Sequence, residues 1–101
     1  MATQVVVNGT ITKANGTAAA GTVTFRPRQA FYDAGALVVG TAPVIATLDG
    51  SGAFSVTLWA TADLNAAYRY LVTEDFTGAA KLSFSLALPV ATPVRYESLR
   101  L

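Results

Sequence analysis

Apolar and polar residues alternate along most of this chain, and the period is two. Val5, Val7 and Ile11 fall on one face of an extended segment, opposite Gln4, Asn8, Thr10 and Thr12. That period belongs to a strand with one buried face. Gly9 stands in the apolar phase, which predicts a bulge or a close backbone approach. Asn15-Gly16 is a turn signal. Thr22 to Phe25 alternates again and stops at Arg26-Pro27-Arg28. A proline cannot donate to a ladder, so Pro27 belongs at a strand end or edge.

Gln29 to Gly40 is irregular and predicts a loop with a short strand at Leu37 to Val39. Val44 to Leu48 predicts a strand, Asp49-Gly50-Ser51-Gly52 a turn, and Phe54, Val56 and Leu58 the next strand. A four-residue Asp/Gly/Ser loop between two such runs reads as a hairpin. Ala60 to Ala67 is the one helix-compatible segment, one or two turns long, with Thr61 as its cap. Tyr68, Tyr70 and Val72 alternate with Arg69 and Thr73. Leu82, Phe84, Leu86 and Leu88 form the cleanest stripe, before Pro89 and Pro93. Residues 94–101 read as a last strand or an extended C-terminal arm. About seven short strands with regular turn signals predict an all-β chain, an antiparallel β-sandwich in one domain spanning 1–101.

Composition narrows the function. Apolar residues make up 52% of the 101 positions and charged residues 13%, against about a quarter charged in an ordinary soluble domain. Intrinsic disorder needs the opposite balance. The longest uncharged stretch, Ala34 to Leu48, is broken by Gly40, Thr41 and Pro43, and a bilayer span needs about 20 apolar residues; no membrane partner is expected. Net charge is +1 with scattered basic residues, so no nucleic-acid partner is expected either. The first residues carry no basic run and no long apolar run, so no signal peptide is read there.

The chain has no cysteine and no histidine. Thiolate zinc sites, cysteine nucleophiles and the commonest general base are therefore absent. The expectation is a protein that is not an enzyme, with no catalytic residues, no metal and no cofactor. Asp49 and Ser51 open like a calcium loop, but Ala60 stands where that loop needs a glutamate. Asn8-Gly9-Thr10 and Asn15-Gly16-Thr17 match the N-glycosylation pattern, and turn chemistry accounts for them more simply. Arg26 and Arg28 flank a proline and could clamp an anion, against a default reading as a solvated edge. Trp59, with Tyr68, Tyr70 and Tyr96, could form a sugar-stacking platform, although aromatics at strand ends serve more often in cores and interfaces. Leu99 and Leu101 should pack on their own domain or add to a neighbour's sheet edge. The expected interface residues are Trp59, Tyr96, Leu99 and Leu101.

Two likenesses sharpen this reading. Val7-Asn8-Gly9-Thr10-Ile11, then Asn15-Gly16, then Gly21-Thr22-Val23-Thr24-Phe25 resembles the opening of prealbumin-like, Ig-like β-sandwich modules. A wider likeness takes in Gly21 to Pro27, Ala46 to Val56, Tyr70 to Glu74 and Phe84 to Pro89; this order is similar to small modules in minor tail and other virion proteins of phages infecting actinobacteria. The resemblance implies a structural protein of a tailed bacteriophage virion, made in the bacterial host cytoplasm. As a capsid decoration or minor capsid protein it would bind the particle exterior. The alternative is a minor tail or baseplate module that recognises host cell-wall glycan. Implied partners are major capsid or tail proteins, in a homo-oligomer or multi-copy assembly.

Overall fold

A computed structural model describes residues 3–35 and 37–99. The strands are β1 (Gln4–Thr10), β2 (Gly21–Pro27), β3 (Phe31–Asp33), β4 (Leu37–Val39), β5 (Val44–Thr47), β6 (Ala53–Trp59), β7 (Tyr70–Phe76), β8 (Leu82–Leu86) and β9 (Val94–Arg95), followed by a single helical turn, α1 (Tyr96–Leu99). One sheet has the order β6-β1-β9, the second β5-β2-β7-β8, and β3-β4 form a separate hairpin. The two larger sheets pack as a β-sandwich, as the alternation predicts. Every strand pair is antiparallel except β1 with β9, which is parallel.

The buried phase of each strand supplies the core. Val5 and Val7 on β1 and Phe54 and Leu58 on β6 face Val23 and Phe25 on β2, Ala46 on β5, Tyr70 and Val72 on β7 and Leu86 on β8. Burial of such apolar area stabilises the fold by about 25 cal/mol per Å². Gly9 continues the inward phase beside Phe54. A Cβ there would overlap the Phe54 ring and stand 2.9 Å from the Tyr96 Cβ, so the sequence signal marks a close approach. Pro27 ends β2, opposite Tyr70 of β7 and beyond the reach of β5, where no donor is needed on that side.

Several expectations change. The Asp49–Gly52 turn forms, with Asp49 Oδ1 accepting the amides of Ser51 at 2.8 Å and Ala53 at 3.0 Å. The strands it joins do not pair, because β5 lies in one sheet and β6 in the other. The connection is an arch across the sandwich, held outside by Leu48 N donating to Gly21 O at 3.0 Å and Ile11 N to Gly52 O at 2.8 Å. Period-two alternation fixes which face is buried but not which neighbour takes the ladder, and so it cannot separate an arch from a hairpin.

Ala60 to Ala67 forms turns rather than a helix. Thr61 does not cap it. Its hydroxyl is buried, donates to Leu88 O at 3.2 Å and accepts from Leu88 N at 2.9 Å. The stripe on β8 is buried at Leu86 and, just beyond the strand, at Leu88, while Leu82 is 49% exposed; β8 is an edge strand of the four-stranded sheet. Phe31–Asp33, read as loop, is β3, whose Phe31 is fully buried, stacked on Tyr68 with centroids 4.8 Å apart and edge-on to Tyr70 at 5.2 Å. Residues 94–99 form neither a full strand nor an arm, but a two-residue strand running into one helical turn.

Candidate interaction site

The C-terminal segment is held on the outer edge of β1. Gln4 to Thr10 all stand in register with β6, and the amides of Val6 and Thr10 turn to the other side of β1. Val6 N donates to Thr92 Oγ1 at 3.1 Å and Thr10 N to Glu97 Oε1 at 3.0 Å. Between them Asn8 is covered by the parallel pairing with Arg95. Two side chains and a short ladder thus close the edge of a strand that lies 86 or 87 residues away in sequence.

Tyr96 anchors this segment. Its side chain is fully buried, edge-on to Phe25 at 6.0 Å and to Phe54 at 5.3 Å, over the space that Gly9 leaves open. Its hydroxyl donates to Glu74 Oε2, a carboxylate only 3% exposed in the inward phase of β7. Val94 and Leu99 pack against the same core. Glu97 sits at the rim. Desolvation pushes its carboxyl up, but the Thr10 amide and the hydrogen bond and charge of Arg95 outweigh that and hold it below the ordinary carboxylate range.

Beside this anchor a cavity of about 710 Å³ opens at the pole of the sandwich. Ile11 and Phe76 give it apolar wall, Lys13 and Glu97 line it, and Glu74 and Tyr96 reach it from the core. Glu74 is a buried polar residue of the core, bonded to Tyr96. The sequence signal for this is its position: it shares the phase of Tyr70 and Val72, so a carboxylate had to enter the core there.

The expected interface residues separate. Trp59 is half-buried on the outward phase of β6 beside Gln4. Tyr96 is a core residue and presents nothing to a partner in the folded chain. Leu99 packs on its own domain, one of the two alternatives for it. Leu101 lies outside the described residues. The sugar platform does not form, because Tyr68, Tyr70 and Tyr96 are all buried. Burial pushes the Tyr70 phenol well up from its ordinary value, while its hydroxyl donates to Trp59 O at 2.6 Å. Asn15 is occupied as a turn former, accepting Thr17 N at 3.1 Å and Thr17 Oγ1 at 2.7 Å. Arg26 and Arg28 are both exposed, and Arg28 Nη1 donates to Ser85 Oγ at 3.1 Å.

The chain matches no protein-family model, no curated protein and no solved structure. What the surface offers is then read from its own residues. Among the described residues, no cluster of three acidic side chains is placed to hold a metal, and no helix is long and apolar enough to cross a membrane. Among the described residues the exposed large apolar side chains are Tyr32, Val38, Val44, Ile45, Leu82 and Val90. Tyr32 and Val38 are direct partners across the β3-β4 hairpin, 58% and 65% exposed. Val44 and Ile45 lie on β5, an edge of the four-stranded sheet.

Proposed function

We propose that this chain is a non-enzymatic structural protein of a tailed bacteriophage virion, a capsid decoration or minor capsid protein bound to the particle exterior. The observation that carries the reading is the exposed apolar pair Tyr32 and Val38, standing side by side on the hairpin. Exposed apolar groups beside one another are a mark of contact surfaces, and Ile45, 60% exposed on β5 at an edge of the four-stranded sheet, adds a second point of contact. The prealbumin-like motifs and the likeness to phage virion modules agree with this. The partners would be major capsid or tail proteins, met in many copies. Each contact need not be strong, since repetition over a shell raises avidity without new contacts.

A minor tail or baseplate module is the second reading. Burial of Tyr68, Tyr70 and Tyr96 deprives its glycan-binding version of the aromatic platform. Quantitative mass spectrometry of purified particles tests both. A copy number in the hundreds is expected for decoration (an estimate from shell repetition). Single digits or low multiples of three would transfer the protein to the tail, and absence from particles would overturn both readings.

A further inference from the structure

The chain is organised as a receptor and a ligand on one polypeptide. Residues 3–88 build both sheets except for β9. Residues 92–99 lie on the first part as a bound peptide would: a short ladder along an edge strand, the Val6 and Thr10 amides closed by Thr92 and Glu97, and one aromatic side chain sunk in a pocket of Phe25, Phe54 and Gly9. Strand addition with a buried aromatic anchor is a standard form of peptide recognition. The two parts are joined by Pro89, Val90 and Ala91, all exposed. Among the described residues β9 pairs with no strand other than β1.

We propose that the outer edge of β1 is an inter-subunit docking site whose occupant is the C-terminal segment, residues 92–99, of a second copy of this chain. Every contact the segment makes within its own chain is offered unchanged by a neighbour, because the receptor surface is identical. This is the condition for exchange of an element between protomers. A short linker holds the segment at an effective concentration of roughly millimolar. Docking within one chain therefore dominates in dilute solution, and exchange takes over where copies are crowded to comparable concentration, as on a repeating surface. The Tyr96 anchor and the Glu97 hydrogen bond set the register in both arrangements. The inference rests on the receptor geometry and does not need the virion reading to hold.

Asn8 and Arg95 are register partners, partly exposed and exposed respectively, and the chain has no cysteine of its own. An N8C chain and an R95C chain, each with a distinct tag, are mixed at increasing concentration up to about 1 mM under a mild oxidant. Docking within a chain leaves each introduced thiol opposite a native residue, so exchange favours the mixed disulfide, whereas random collision of exposed thiols gives mixed and same-variant species alike. The expected result is a mixed species that grows with concentration and exceeds both same-variant dimers at least tenfold. Mixed and same-variant species in random proportion at every concentration would overturn the proposal. The unmodified chain gives a second readout. Concentrated, warmed to partial unfolding and cooled, it should yield trapped dimers and larger species by light scattering, and monomer alone would contradict exchange.

Discussion

Gly9 shows how one residue can fix a whole segment. Its missing Cβ makes room for Phe54 and for the backbone side of Tyr96, and Tyr96 in turn carries residues 94–99 onto β1. Gly9→Ala should destabilise the fold by about 1–3 kcal/mol, the usual cost of overpacking a tight core, read as a lower denaturation midpoint. An unchanged midpoint would mean that the approach is looser than described. Glu97 acts at the same scale by charge. Its folded pKa is depressed, so its contribution is complete above the ordinary carboxylate value and is lost as pH falls through the lower folded value. The protection of the Thr10 amide, its exchange corrected for the intrinsic pH dependence, should therefore fall as pH is lowered below the ordinary carboxylate value near 4.3, and Glu97→Gln should abolish that fall. In the sequence Gly9 was legible as an exception to a stripe. Glu97 was not, because nothing local announces that its partner is an amide 87 residues away.

Elements were legible where a period ran long enough to count. The strands β1, β2, β6, β7 and β8 follow from alternation, and the Asp49–Gly52 turn follows from its residues. Asp49→Ala removes the acceptor of two loop amides and should cost about 1–2 kcal/mol in a denaturant titration. Three-residue β3 offers too few positions to show a period, and its place is set by Phe31 stacking on Tyr68 and Tyr70. Phe31→Ala should cost about 3–5 kcal/mol, and amide exchange should rise first at Tyr32, whose N–H donates to the Tyr68 hydroxyl at 3.1 Å. The arch and the β9-α1 segment were hidden for a common reason. Both depend on which distant strand supplies the ladder, and a local pattern of burial is silent on that.

For the whole molecule, the apolar share of the composition is accounted for mainly by one core between two sheets. The shortage of charge is a property of the surface, where the outward phase of β2, β7 and β8 carries Thr22, Thr24, Thr73, Ser83 and Ser85. The body is elongated, 48 × 23 × 21 Å, with the β3-β4 hairpin packed at the pole of Pro27 and Tyr70 and the cavity at the opposite pole of Thr10 and Phe76. A protein with this little surface charge is suited to standing against neighbours. We propose that those neighbours are proteins of a virus particle. The most direct measurement is a cryo-EM reconstruction of the particle produced from the genome that encodes this chain. The sandwich should repeat on the outer surface, with Tyr32, Val38 and Ile45 against protein. A particle lacking the chain, or carrying it with all three residues facing solvent, would contradict it.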